Sequence, residues 1–310
     1  MTNSTSNFTA LLTEICQEEQ ITLNPYADEW AWELSRGDVR NYIFGYQFGL
    51  NRAVVQSICN DKGMASELLA AHGLPCVMHT CLMPPEKMQF VSREGAWKKA
   101  TELLQQYGTI VCKDNEGTGG DRVYLVHDQL ELEKTACELF ARGCAMSICP
   151  WVPIKQEYRV IVLDGEVQIV FSKERKGLTG DGFHTVRELY VQYLEQGGAA
   201  QQVPTKVLDR VLAEGESYYF EWKHNLGRGA GMRLHQNEPE LAPVRELALR
   251  TVKLLGARFV SVDVIETAEG YEILEVNSGV MMENLAGMGP ESRALAKETY
   301  RKAIHKMMEV

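Results

Sequence analysis

The chain has 310 residues, 45% hydrophobic and 24% charged, enough for a core shared by two or three subdomains and too apolar for a disordered protein. The net charge of -10, from 32 Lys+Arg against 42 Asp+Glu, opposes nucleic acid or an anionic membrane as a main partner, so an anionic ligand must be met by a local cluster of cations. Eight cysteines lie singly in apolar runs without a C-x-x-C pair, and no signal-peptide pattern or run of about 18 apolar residues occurs; reduced core thiols and a cytoplasmic protein are expected.

The first forty residues are polar and weakly periodic, which predicts a partly helical segment. DKGMASELLAAHGLP (61–75) predicts a helix, closed by Gly73 and Pro75. Residues 97–104 read as helix, TIVCK (109–113) as a buried strand, VYLV (123–126) as its partner, and 129–142 as helix. In YRVIVLDGEVQIVFSKE, Asp164-Gly165 marks a two-residue hairpin turn between β-branched strands. Helices are expected near 185–195 and 204–214, then an aromatic strand from 218, a glycine-rich loop to 231, and an amphipathic helix over 243–256.

The last strands, FVSVDVIETAEGYEILEVNSG, carry the most chemistry. A loop over Glu266–Gly270 pairs Ile265 with Tyr271, Asp263 with Ile273 and Ser261 with Glu275, so Asp263, Glu275 and Asn277 share one face. Val260, Val262, Val264, Leu274 and Val276 share the other. Two carboxylates brought together need a proton or a cation between them, and oxygen donors of this kind suit Mg²⁺; the alternative is a solvated hairpin face. Magnesium of this kind usually arrives with phosphates. Lys113 is followed by DNEGTGGDR, in which Gly117, Gly119 and Gly120 can offer backbone N–H groups to an anion and move as a flap, while Lys62 begins a helix whose dipole favours anions. HNLGRGAG (224–231), after Lys223, combines Asn225 and Arg228 with three glycines and reads as a second anion-binding loop. Arg159, inside the strand EYRVIVL, must face a carboxylate or a phosphate.

In this order the motifs resemble the ATP-grasp superfamily, the carboxylate–amine and carboxylate–thiol ligases. YQFGLNR…ICNDKGMASELLAAHGLP, EYRVIVLDGEVQIVFSKERKGLTGDG with TVREL, and HNLGRGAG look most like the ligase module of cyanophycin synthetases, with similarity to the ribosomal-protein glutamate ligases, over roughly residues 41 to 285. The resemblance implies an α/β (α+β) fold in which two α+β subdomains grip ATP: a shortened N-terminal segment (1–60), a flap-bearing small subdomain (61–150) and a large C-terminal subdomain with the metal site (151–310). By it Asp263, Glu275 and Asn277 hold one or two Mg²⁺, with Mn²⁺ as a substitute. Lys62, Lys113 and the flap residues Gly117, Thr118, Gly119 and Gly120 hold phosphates, and Glu157 holds the ribose. Backbone groups of Trp151 and Val152, in ICPWVP where relatives carry an acid and a lysine, hold adenine. Lys223, Asn225 and Arg228 face the γ-phosphate and acyl phosphate, and Arg159 the reacting carboxylate.

The implied function is ATP-dependent amide or peptide bond formation through an acyl phosphate, with ADP and phosphate released. The substrates would be a small carboxylate and an amine, an amino acid or peptide. Neither nucleic acid nor membrane is expected as a partner, and a homo-oligomer could complete the short N-terminal part. An ATP-grasp kinase and an inactive nucleotide-binding regulatory protein are the alternatives.

Overall fold

The computed structural model describes residues 6–90, 96–117, 119–223, 231–236 and 238–309. Ser6 caps the first helix, α1 (Asn7–Glu18), by accepting from Thr9 N–H. Four strands follow: β1 (Thr22–Tyr26), β2 (Ala31–Arg36), β3 (Val39–Phe44) and β4 (Gln47–Phe48), an antiparallel sheet in that order. The sequence reading missed this sheet. Trp32, Leu34 and Ile43 point into the core, but Tyr42 and Phe44 lie exposed on the other side, so the period-2 pattern that marks a half-buried strand is blurred.

The helices α2 (Ala53–Asn60) and α3 (Lys62–Ala71) meet at Asp61, whose side chain accepts from Met64 N–H as the α3 N-cap; Gly73, at φ +70°, turns the chain away. Next come β5 (Thr80–Leu82), α4 (Ala96–Tyr107), β6 (Ile110–Asp114), β7 (Val123–Val126), α5 (Gln129–Ala141) and β8 (Met146–Pro150). The strands order as β5-β8-β6-β7. Leu82, Ile110, Cys112, Met146 and Ile148 on one side of this sheet pack with Ala100, Leu104, Leu132 and Leu139 of α4 and α5.

The larger sheet is built from β9 (Gln156–Leu163) and β10 (Glu166–Glu174), joined at Asp164-Gly165 with φ of +48° and +79° as the two-residue turn requires. Beyond it lie β11 (Gly177–Thr179), α6 (Val186–Glu195), β12 (Ser217–Tyr219), β13 (Gly231–His235) and α7 (Ala242–Leu255), then β14 (Phe259–Glu266), β15 (Tyr271–Asn277), α8 (Glu283–Ala286) and α9 (Pro290–Met308). The order is β13-β10-β9-β14-β15, and β11 pairs with β12 separately. Thr185 and Glu188 cap α6 reciprocally, whereas the helix expected over 204–214 is only one 3-10 turn at Thr205–Val207.

The chain divides into one unit of Met1–Ser172 with Leu234–Val310 and a second of Lys173–Arg233. The second has its own small core of Leu178, Val186, Leu189 and Leu212. In the first, Tyr158, Val160, Val162, Val260, Val262, Val264, Ile273 and Val276 form the apolar side of the sheet against Val244, Leu247, Ala248 and Val252 of α7. The N-terminal segment is tied to that sheet by Asn51, which is buried: its amide accepts from Arg258 N–H (2.7 Å) and Phe259 N–H (3.1 Å) and donates to Phe259 C=O (2.6 Å). No described helix is long and apolar enough to cross a membrane. The cysteines are free; Cys16, Cys59, Cys112 and Cys149 are core thiols as expected, but Cys137 is exposed.

Candidate functional site

The polar side of the large sheet is decided at β15. Its pairing with β14 begins Glu266↔Tyr271, one residue later than the sequence predicted, because Thr267–Gly270 closes a four-residue loop with Thr267 N–H on Gly270 C=O at 2.8 Å. Left alone, that shift would turn Glu275 to the apolar side. A bulge at Leu274 corrects it: Val264 pairs with Ile273, and the next pair is Asp263 with Glu275, then Ser261 with Asn277. Asp263, Glu275 and Asn277 thus share one face as expected, but with different partners, and Ile273 rather than Leu274 enters the core.

On β9, Arg159 lies directly opposite Asp263. Its Nε donates to Oδ1 at 2.7 Å and Nη2 to Oδ2 at 2.6 Å, so both oxygens of the buried carboxylate are engaged. Burial alone would lower the Arg159 pKa, but Asp263, then Glu275 and Glu157, outweigh it and raise the value above the usual arginine range. Glu157 is 5% exposed and, two residues from Arg159, on the same face. Asn277 Nδ2 donates to Glu275 Oε1 at 3.2 Å. Among the described residues no group of three His, Cys, Asp or Glu is arranged as a metal cage. The oxygen donors Glu275 and Asn277 suit Mg²⁺, and Asp263, with one hydrogen bond from Arg159 on each oxygen, keeps a lone pair on each.

The cations converge from the other side. Residues 75–77 run alongside β15, with Ile273 N–H on Pro75 C=O and Val77 N–H on Ile273 C=O, both at 2.9 Å. That bridge holds α3 beside Glu275, and Lys62 and Glu275 line one small cavity with Ser66, Cys76 and Leu274. Lys62 Nζ donates to Asn115 C=O (3.0 Å) and Gly117 C=O (2.7 Å), tying the start of the glycine loop to the start of α3. Asn115 reciprocates, accepting from Gly63 N–H at 3.2 Å. Burial lowers the Lys62 pKa; Glu275 raises it, and Lys113 lowers it further. Lys113 is itself buried on β6, and beside it Asp114 pairs with Arg122 at 3.0 Å. Gly119 and Gly120 adopt φ of +67° and +68°, and a Cβ on Gly117 would lie 2.9 Å from that of Asp114.

Lys62, Lys113, Glu157, Arg159, Asp263, Glu275 and Asn277 all lie in the first unit. Trp151 is 43% exposed and its N–H already donates to Thr109 C=O at 3.2 Å, which leaves that group engaged in extending β8 along β6; Val152 follows it half-buried. Lys223 is in the second unit, its ammonium 5.4 Å from the centre of the Trp222 ring. Thr118, Asn225 and Arg228 lie outside the described residues. The sequence reading overlooked Asn115 and His79: both are buried, and His79 carries two ring nitrogens without a hydrogen-bond partner. No sequence signal marks them, since single polar residues in MHTCL and KDNEG are ordinary in strands and turns.

No family model matches the chain. It is 24% identical over 234 residues to the glutathione biosynthesis bifunctional protein GshAB of Streptococcus thermophilus, a match that covers 68% of this chain and only 29% of that protein. Among solved structures, a bifunctional glutathione synthetase from Pasteurella multocida superposes with a TM-score of 0.52 at 17% identity, covering 96% of this chain and 44% of the other. D-alanine–D-alanine ligase from Bacillus anthracis, which has also been solved with ATP, gives 0.52 at 16% identity, covering 84% and 68%. Together with the motif order, these likenesses show that the chain has the ATP-grasp fold.

Proposed function

We propose that the chain is an ATP-dependent carboxylate–amine ligase that forms an amide or peptide bond and releases ADP and phosphate. The observation that carries this reading is the convergence of two buried lysines, Lys62 and Lys113, on the carboxylate–amide face of Glu275 and Asn277. Two buried ammoniums beside a carboxylate suit a phosphate chain with its metal better than they suit a packed core. The ATP-grasp fold and the identities of the ligases that share it support the same choice.

On this reading ATP phosphates lie between Lys62 and Lys113, under the glycine loop of residues 114–122. Lys62 uses two of its three protons on Asn115 and Gly117 and keeps one for the ligand. Glu275 and Asn277 hold Mg²⁺, with Mn²⁺ as a substitute, and the ion supplies neutralisation of phosphate charge. Asp263 joins them through the lone pairs that Arg159 leaves open, and Arg159 faces the reacting carboxylate. The remaining chemistry is positioning. A substrate carboxylate attacks the γ-phosphate, the acyl phosphate forms, and an amine displaces phosphate; Lys223, Asn225 and Arg228 stabilise the transferred group. Glu157 takes the ribose, and the carbonyl of Trp151 with the Val152 backbone takes adenine. The reaction fits a cytoplasmic protein acting on amino acids or peptides.

The test is a screen of amino-acid pairs for phosphate release, followed by oxygen-18 in the substrate carboxylate. ADP formation that requires both substrates, with label transferred to the phosphate, is the expected result. AMP formation, or label retained wholly in the product, overturns it.

A further inference from the structure

We infer that His79 is a ligand-contacting residue of this site, its ring N–H donating to the phosphate chain held between Lys62 and Lys113. The inference rests on the nucleotide reading above and adds to it a residue that neither the motifs nor the fold assigns.

His79 is strapped in place by its backbone. Its N–H donates to Ser66 Oγ at 3.0 Å, and that hydroxyl donates to Gly63 C=O at 3.0 Å in the first turn of α3, directly after Lys62. Cys81 pairs with Ser147 and Ser147 with Lys113, so these three share a sheet face; His79, just before β5, lies within the field of both Lys113 and Lys62. The opposite face, with Leu82, Cys112 and Ile148, is the apolar core under α4 and α5.

His79 is 2% exposed, and neither Nδ1 nor Nε2 has a hydrogen-bond partner. A buried polar ring left unpaired is costly, and native proteins rarely keep one without a use. Burial first, then the charges of Lys113 and Lys62, hold the ring neutral, well below the usual histidine range; the Val77 backbone opposes this. Cys149, on β8 and also within the field of Lys113, keeps its proton because burial raises its pKa. Two ammoniums and a neutral N–H donor thus lie together, with Glu275 as the carboxylate that acts most on Lys62. A phosphate chain answers all three, and a neutral imidazole carries one N–H in either tautomer, so no proton need be taken up.

The test uses the full chain with ¹⁵N-labelled histidine, the His79 signals being identified by their loss in His79→Gln. Saturation with AMP-PNP and Mg²⁺ should shift the His79 ring signals, as should inorganic tripolyphosphate, whereas adenosine should not. By calorimetry His79→Leu should bind AMP-PNP about tenfold more weakly and His79→Gln, which keeps a donor, within a few-fold of wild type. Unchanged His79 signals with AMP-PNP bound, which is the outcome if an ordered water satisfies the ring, overturn the inference alone. So does wild-type affinity in His79→Leu. Failure of the wild-type chain to bind AMP-PNP overturns the nucleotide reading and this inference with it.

Discussion

Arg159 and Asp263 face each other across β9 and β14 and are joined by two parallel hydrogen bonds of 2.7 and 2.6 Å, with Asp263 only 1% exposed. A pair this deeply buried adds little net stability when intact, because desolvation offsets its attraction; it is costly when halved. Asp263→Asn should therefore lower stability by about 3 kcal/mol or more, since it leaves the guanidinium buried against an amide. Denaturant unfolding of the purified variant measures this, and an unchanged midpoint would show that the pair is open to water.

Glu275 stands opposite Asp263 on β15 but is only half-buried, with the Asn277 amide on one oxygen. Glu275→Gln keeps shape and packing. Its unfolding free energy should stay within about 1 kcal/mol of wild type while substrate-dependent phosphate release is abolished. Near-normal turnover from the folded variant would remove Glu275 from the proposed metal set.

Lys62 holds the glycine loop through the carbonyls of Asn115 and Gly117. In Lys62→Met both carbonyls lose their donor, and the loop should open more often. Trypsin cleavage after Arg122 should become several-fold faster than in wild type, and AMP-PNP with Mg²⁺ should protect wild type but not the variant. Equal rates throughout would mean that Asp114 and Arg122 alone fix the loop.

Asn51 makes three hydrogen bonds to the backbone of Arg258 and Phe259 from more than two hundred residues away. Asn51→Ala leaves those groups buried without partners and should cost about 3 kcal/mol. Because these bonds engage only the backbone of Arg258 and Phe259 and no proposed ligand-binding side chain, ligand affinity per folded molecule should stay within a few-fold of wild type, which calorimetry on the folded fraction can check.

The α1–α9 contact gives the protein an acid-sensitive seam. Glu14 is hydrogen-bonded by Arg293 and paired with Lys297 at 3.0 Å, and the Arg293 bond leads the causes that lower its pKa from 4.5 to about 2. A carboxylate whose folded pKa is depressed contributes stability that is present above its unfolded value and is lost as pH falls from about 4.5 to about 2. The side chain is 38% exposed, so solvent screening reduces the contribution to about 1 kcal/mol. Glu14→Gln should melt below wild type at pH 7, and the two should converge toward pH 2; a constant difference across that range would contradict the assignment.

Local chemistry was enough for much of the fold. Asp164-Gly165 as a hairpin turn and the helices over 62–71, 129–141 and 242–255 follow from turn residues, helix-stop residues and apolar spacing, which act within a few residues. The order of DK, lysine strand, glycine loop, EYR and D-V…E-V-N was likewise enough to point to the ATP-grasp fold before any coordinates. What lay beyond the sequence depends on pairing between distant strands. The face shared by Asp263 and Glu275 was expected for a reason that was incomplete, because only the sheet reveals that a bulge at Leu274 restores the parity that a shorter loop removes. The β1–β4 sheet was hidden because Tyr42 and Phe44 are exposed on its outer side, so hydrophobicity did not report which side faces the core. The bidentate hold of Arg159 on Asp263 and the tie from Lys62 to the glycine loop join residues 104 and 53 positions apart, and the state of the His79 ring depends on the lysines packed near it. A sequence names the groups able to make these contacts, but the partner of a buried charge is chosen by the packing that removes it from water.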